Sequence, residues 1–560
     1  MTNRLVVATL LSMLASEAFA GSTIVASRAA LSTATPFSTS IGLSFLKRGG
    51  NAIDAAVAVA FTLAVVHPQA GNLGGGGFLI YYDAESKGVW ALDFRETAPA
   101  ASKRSMYLQA DGTSSAASRT GALAVGVPGT VAGLAAAHGR FGSLPWKDLL
   151  TPAAAIAREG FRTDAELHRE LSEENEERKI EKFPSTAALF FPDGRALIAG
   201  SKLVQNDLAA TIERIAAAGP SEFYEGETAR KLVEGLRAGG GIVSLRDLRE
   251  YTPVWRAPLK IRFGPYDIYT MPPPSGGGMV LAETLNILAA YDLKKIGFQT
   301  VGAIHLQAEA ERRAFIDRNR YVGDPGTTRI PYRELLSAAH AAAWRTSIDF
   351  RRATPTIGLM DRQSAVPEGS DTTHFTIVDE KGNIASLTTT LNENFGSGLV
   401  VPGLGFLINN EMDDFTTTPG KPNRAGLIQG DANAIEPGKR MASSMTPTII
   451  FKGLMPFLAL GTRGGPTIPT SVLQVFLNVT VFGHSLSDAV AAARYHHQAD
   501  PERIDFERGR APQSLVEALH AMGHGVNGRE PIGDIHAVGF FEGKIVAVAD
   551  PRRGGAAGGY

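Results

Sequence analysis

The sequence predicts an α+β fold built in layers, and three observations carry that prediction. Helical patterns and short strands occur in blocks instead of alternating, which disfavours a parallel doubly wound sheet. The C-terminal third is rich in short strands closed by turn signals, as in Phe540 to Ala549 around Glu542-Gly543 and Thr448 to Phe451 before Gly453. A threonine-rich hairpin, Phe375 to Asp379 and Ser386 to Asn392, closes at Lys381-Gly382-Asn383.

Composition limits what such a fold can do. With 560 residues, 44% hydrophobic and 20% charged, the chain can bury a large core. Lys+Arg 55 against Asp+Glu 56 argues against a surface built for polyanions. The absence of cysteine excludes disulfides, thiol catalysis and thiolate metal sites, so a nucleophile must be oxygen. Residues 1–20 read as a signal peptide: Arg4, an apolar run from Leu5 to Ala15, then Ala18-Phe19-Ala20. That pattern predicts export to the periplasm or the medium.

Along the chain, Asn51 to Val66 mixes small and apolar residues at helical spacing and predicts a tightly packed buried helix. It runs into Gly71-Asn72-Leu73-Gly74-Gly75-Gly76-Gly77-Phe78 and a strand from Phe78 to Tyr82. A phosphate loop runs from strand to helix; here the order is helix, glycines, strand, so close backbone packing or a loop bordering a pocket is expected instead. Helices are expected over Val131 to His138, Trp146 to Glu159, Gly278 to Tyr291 and His305 to Tyr321. Asp164 to Lys182, with charges at i, i+4, reads as a solvated surface helix. From about Pro325 to Gly369 the chain becomes less regular, as expected of a long exposed connection where a chain is cut or moved.

The chemistry concentrates around Thr372 in Asp371-Thr372-Thr373-His374-Phe375. A threonine hydroxyl needs a base beside it, and cutting the peptide before Thr372 would supply one: the new α-amine, with a reference pKa of about 7.7–8.0. Alternation puts His374 on the face of Thr372, but the terminal amine makes a second base unnecessary. Further clusters follow. Asn410-Glu411-Met412-Asp413-Asp414-Phe415 is acidic, Ser443-Ser444 offers two hydroxyls, and Gly464-Gly465 offers unobstructed amides. Upstream, Asp93-Phe94-Arg95-Glu96 places an arginine at a strand end. Adjacent His496-His497 would point different ways on a helix and reads as structural.

Taken in order, these clusters resemble the γ-glutamyltransferase (glutathione hydrolase) family over nearly the whole mature chain. The resemblance also rests on Gly50 to Ala56, Pro272 to Gly277, Thr390-Leu391-Asn392 and Gly430-Asp431-Ala432-Asn433-Ala434. It implies an N-terminal-nucleophile hydrolase, a four-layer αββα sandwich made as a precursor that cuts itself between Asp371 and Thr372. The large subunit would be residues 21–371 and the small one residues 372–560, a heterodimer forming one intertwined domain. No metal or organic cofactor, nucleic acid or membrane span is implied; the partners are glutathione or other γ-glutamyl compounds and amino-acid or dipeptide acceptors.

By the same resemblance Thr372 is the nucleophile, Thr390 orients its oxygen, and the amides of Gly464 and Gly465 stabilise the oxyanion. Arg95 with Ser443 and Ser444 should hold the substrate α-carboxylate. Asp414 should pair with the α-ammonium, assisted by Glu411 and the amide of Asn392. One departure stands out: Ala425 occupies a lid position where many members carry an aromatic residue, which implies a looser gate and leaves the balance of hydrolysis and transfer open. A β-lactam side-chain acylase on the same scaffold is the nearest rival, although it has less use for an ammonium pocket. A non-catalytic exported γ-glutamyl-binding protein is the rival from another class; it gives no reason for Thr372, Thr390 and Gly464-Gly465 to coexist.

Overall fold

The computed structural model describes residues 21–359, 371–417 and 430–560, with the side chain of residue 371 left out. The expected signal peptide, the Pro367 to Ser370 stretch and Ala425 lie outside the described residues.

Two seven-stranded antiparallel sheets form the centre of the protein. In the first, the strands run in the order Ala556–Gly559, Ala30–Thr33, Asp371–Val378, Ile384–Asn392, Gly76–Asp83, Gly88–Asp93 and Val254–Arg256. The second runs Thr23–Ala26, Lys544–Ala549, His536–Phe541, Met455–Gly461, Thr448–Lys452, Tyr266–Thr270 and Leu259–Phe263. Strands from before and after Thr372 interleave in both sheets. An apolar layer that includes Phe78, Ile80, Ile384, Ile449, Ala459 and Val538 fills the space between them.

Each sheet carries helices on its outer face, which completes the expected αββα sandwich. On the first, Ala52–Val66 is buried at every position and packs with Phe375, Ile377, Ala385 and Leu387. This explains its small, all-round apolar sequence, since a helix with no solvent face has no polar stripe. Asn51 caps it in a reciprocal box with Asp54, and the Ala52 amide donates to Asp379 Oδ2 at 2.9 Å. Asp379 also accepts from the amides of Lys381 and Asn383, so a single carboxylate ties the hairpin turn to the helix N-terminus. On the second sheet, Gly277–Leu288 and Thr467–Thr480 contribute Leu281, Leu285, Val472 and Phe476 to a separate core.

Two local expectations need correction. The charged helix Ala165–Arg178 is solvated on one face only: Arg169 and Glu173 form an exposed i, i+4 pair at 2.8 Å, whereas Glu170, Glu174 and Arg178 are buried. Arg178 pairs with Glu174 at 2.7 Å and Glu393 at 3.1 Å and donates to the carbonyls of Asn394 and Gly396. Of its i, i+4 pairs, Arg169–Glu173 faces water and Glu174–Arg178 faces inward, a difference that spacing alone does not show. Likewise the region after Pro325 is not uniformly irregular, because it forms the helices Tyr332–Leu335 and Ala338–Thr346. Among the described residues no helix is long and apolar enough to cross a membrane.

Candidate active site

The hairpin Asp371–Val378 and Ile384–Asn392 pairs Thr372 with Thr390 and His374 with Thr388, with a register irregularity between Asp371 and Thr372. Alternation sends Thr372, His374 and Thr376 toward the second sheet, while Phe375 and Ile377 enter the helix-side core. The Thr372 hydroxyl lies 3.4 Å from Thr390 Oγ1, and Thr390 Oγ1 accepts from the Asn392 amide at 2.8 Å. The glycine-rich loop makes this possible. Strand Gly76–Asp83 pairs with Ile384–Asn392, and a Cβ on Gly75 would stand 2.0 Å from the Thr390 carbonyl oxygen. The side-chain amide of Asn72, in the same loop, donates to that carbonyl at 3.0 Å. The loop's role is close backbone packing behind Thr390, one of the two readings the order of elements left open.

Thr372 opens on a cavity of about 340 Å³, part of it open to solvent, lined by Thr390, Arg95, Asn392, Glu411, Asp414, Ser443, Ser444 and Gly465. Every residue expected at the site lines it except Gly464, which is the immediate neighbour of Gly465. Arg95 follows strand Gly88–Asp93 and is 1% exposed. Its guanidinium meets Glu411 at 2.7 Å, lies 3.7 Å from Glu96, and pairs with Asp414. Burial raises the carboxyl pKa of all three acids, against the pull of Arg95. Glu96 is pushed up to about 8, Glu411 well above the ordinary carboxyl range, and Asp414 in the same direction. Glu411 therefore serves first as a partner of Arg95. The Asn392 side-chain amide donates to the Asn410 carbonyl at 3.1 Å, linking the hairpin to the acidic turn.

Ser443 and Ser444 are held by the turn Pro272 to Gly277. The Ser443 amide donates to the Pro274 carbonyl at 3.0 Å, and the Gly276 amide donates back to the Ser443 carbonyl at 2.6 Å. A Cβ on Gly277 would lie 2.1 Å from Thr446 Oγ1, so only glycine admits this approach. Across the cavity, Gly464 and Gly465 have φ of 128° and 54° and precede helix Thr467–Thr480. Their carbonyls are taken by Thr467 and Ile468, whereas neither of their amides has a hydrogen-bond acceptor among the described residues. Two free N–H groups at a helix N-terminus suit a developing negative charge.

His374 lies deep between the sheets, with ring nitrogens 2.8 Å from Thr388 Oγ1 and 3.0 Å from Thr376 Oγ1. Burial, with His536 nearby, lowers its pKa well below the ordinary value. Both nitrogens being occupied by threonines away from the cavity agrees with a structural role. His496 and His497 are also buried, but on extended chain (strand Tyr495–His496) and not on a helix as expected. His496 contacts Thr470 and Gln498, and the His497 ring accepts from the Ala499 amide. Sequence reasoning missed Arg318, which lines the cavity from helix Val301–Tyr321 and is 2% exposed. In sequence it is one of four arginines on that helix, with Arg312, Arg313 and Arg320, and nothing sets it apart from them. Gly276 leaves room for it, since a Cβ there would lie 2.7 Å from Arg318 Cγ.

The chain is 40% identical over 516 residues to the glutathione hydrolase proenzyme of Escherichia coli (strain K12), covering 92% of this chain and 88% of that protein. It is 35% identical over 525 residues to the acylase ACY 1 proenzyme of Pseudomonas sp. (strain SE83), covering 92% and 90%. Among solved structures, the cephalosporin acylase from Bacillus halodurans superposes with a TM-score of 0.83 at 27% identity, over 96% of this chain and 97% of that one. The gamma-glutamyltranspeptidase family model matches residues 38–560, and the chain belongs to that family.

Proposed function

We propose that this protein is a γ-glutamyltransferase and glutathione hydrolase, made as a precursor and activated by its own Thr372. The observation that carries the proposal is the meeting, in one cavity, of Thr372 and Thr390 with the Arg95–Asp414 pair and the Gly465 amide.

In the precursor the nitrogen of Thr372 is a peptide amide and cannot act as a base. The Thr372 hydroxyl attacks the carbonyl carbon of Asp371, the peptide C–N bond breaks, and the acyl group moves from nitrogen to oxygen. Water then opens the ester, leaving a carboxylate on Asp371 and a free α-amine on Thr372. The products are a large subunit of residues 21–371 and a small one of residues 372–560, held together by interleaved strands. Residues 1–20 direct export to the periplasm or the medium.

In the mature enzyme the α-amine accepts the hydroxyl proton as Thr372 Oγ1 attacks the γ-carbonyl of the donor. Gly464 and Gly465 donate to the oxyanion, and the proton passes to the leaving amine, which for glutathione is that of cysteinylglycine. The γ-glutamyl ester is then opened by water or by the amine of an amino acid or dipeptide.

Donor recognition is an exchange of ion pairs. Arg95, paired with Glu411 and Asp414 in the free site, turns to the substrate α-carboxylate together with Ser443 and Ser444. Asp414 then faces the α-ammonium, assisted by Glu411, which burial keeps protonated, so each substrate charge meets one opposite charge. An acyl group without the amine would strand Asp414, which disfavours it.

The acylase relative supports a second reading, side-chain deacylation of glutaryl- or cephalosporin-type amides on the same scaffold. One experiment addresses both. Purified precursor is incubated, its fragments are sized by mass spectrometry, and γ-glutamyl and glutaryl anilides are compared on the same sample. A fragment beginning at Thr372 with turnover of the γ-glutamyl anilide alone is expected. Preferential glutaryl turnover would favour the acylase, and an uncut inactive chain would overturn both.

A further inference from the structure

Helix Val301–Tyr321, which carries Arg318 into the active cavity, also contributes to a separate, largely buried cluster. Glu283 lies on Gly277–Leu288, Asp317 on Val301–Tyr321 and His340 on Ala338–Thr346. One ligand atom from each lies within 4.8 Å of the others. Asp317 Oδ2 is bonded to His340 Nε2 at 2.7 Å and accepts from Trp344 Nε1 at 2.7 Å.

Glu283 has no comparable arrangement. It is 2% exposed, and among the described residues no N–H or hydroxyl group donates to its carboxylate oxygens, whose one partner is the facing carboxylate of Asp317. Among the described residues no arginine or lysine pairs with it, and the charge that acts on it is that of Asp317, of the same sign. Two carboxylates converging without a cation are costly unless a proton or a metal ion joins them.

A second cluster shows the contrast. His305, Glu309 and His524 also converge, but Glu309 already pairs with Arg312 at 3.2 Å and Arg313 at 2.8 Å. A cation there would meet two guanidinium groups. At Glu283 it would meet none.

We propose that Glu283, Asp317 and His340 bind one divalent first-row transition cation of the Zn²⁺ class, in a structural role apart from the active cavity. Two carboxylates and an imidazole are the mixed oxygen and nitrogen donors that such ions accept. His340, with its side chain 22% exposed, supplies the access. On binding, the proton shared by Glu283 and Asp317 leaves to solvent, the Nε2 proton of His340 that faces Asp317 is exchanged for one on Nδ1 so that the Nε2 lone pair meets the metal, and the cation's +2 balances the two carboxylates. The ion would clamp three helices together. One begins at the turn that holds Ser443, and another carries Arg318 into the cavity.

The test uses the full chain, stripped with a chelator and titrated with Zn²⁺, then with Co²⁺ as a spectroscopic probe. One equivalent per chain is expected, with Co²⁺ d–d absorption, proton release on binding and a higher Tm. Glu283→Gln keeps the shape but cannot ionise, and His340→Ala removes the accessible ligand. Each should weaken binding at least 10-fold while the metal-free proteins remain folded by circular dichroism. Absence of stoichiometric uptake by the unaltered protein overturns the proposal. So does uptake that survives both substitutions, or that is lost only in His524→Ala.

Discussion

Arg95 and Glu411 face each other at 2.7 Å, both buried, so the arginine expected to receive a substrate carboxylate is occupied by carboxylates of the protein itself. The free site is thus an ion-pair cluster that a zwitterionic α-amino acid group can enter without leaving an unmatched charge. That relationship makes Asp414 decisive, because it is the partner released toward the ammonium. Asp414→Asn should keep the fold and lower kcat/KM for a γ-glutamyl anilide by roughly 10²-fold, the loss of about 3 kcal/mol expected when one member of a buried pair is removed. Steady-state kinetics on the mature enzyme check this, and unchanged turnover would refute the ammonium pocket.

Thr372→Ala removes the hydroxyl that attacks Asp371. The purified variant should run as a single uncut chain on a denaturing gel after prolonged incubation. Two bands from it would take processing away from Thr372.

Thr390 stands 3.4 Å from the nucleophile's oxygen and is itself fixed by the Asn392 amide. Thr390→Ala should slow both self-cleavage and turnover, with kcat down about 10-fold or more and KM little changed. That corresponds to one hydrogen bond of about 1.5 kcal/mol. A change confined to KM would mean the hydroxyl contacts substrate instead.

Gly464 lies at φ 128°, and a Cβ there would stand 2.3 Å from Thr467 Oγ1. Gly464→Ala should turn its amide away from the oxyanion and cost kcat about 10²-fold, in line with the 2.7–4 kcal/mol typical of one such donor. The unfolding midpoint in denaturant checks that the loss is local, since a collapse of stability would assign the glycine to folding.

His374 stays neutral in the folded protein because burial lowers its pKa. The unfolded chain takes up a proton there below about pH 6.5, and the folded chain does not. The stability tied to a neutral His374 is therefore complete above about pH 6.5. It declines as pH falls below that value, by about 1.4 kcal/mol per unit until the lowered folded pKa is reached. In urea unfolding, the stability of the unaltered protein relative to His374→Gln should shrink between pH 7 and pH 5. An equal gap at both values would show that the ring is not held neutral.

Much of this site was legible because its residues sit in local patterns with a local reason. The hairpin register follows from the short turn at Lys381-Gly382-Asn383, and that alone sets Thr372 opposite Thr390. The helix Ala52–Val66 showed its burial in its composition. What spacing could not show was direction. Arg169 and Arg178 look alike in the sequence of Ala165–Arg178, yet the first faces water and the second the buried backbone at Asn394 and Gly396. Arg318 gave no pattern, because its position in the cavity depends on a glycine 42 residues earlier that lets it pass.

The sequence by itself determined the kind of nucleophile, since a chain without cysteine but with Thr372 heading a hairpin has an oxygen to offer and a peptide bond whose opening would supply the base. It also determined the layered fold, because periodicity is a property of neighbours along the chain. Only the tertiary structure decided which charges meet. Arg95, Glu411 and Asp414 come together across more than 300 residues, and their pairing, burial and raised carboxyl pKa values arise from removing water around all of them at once.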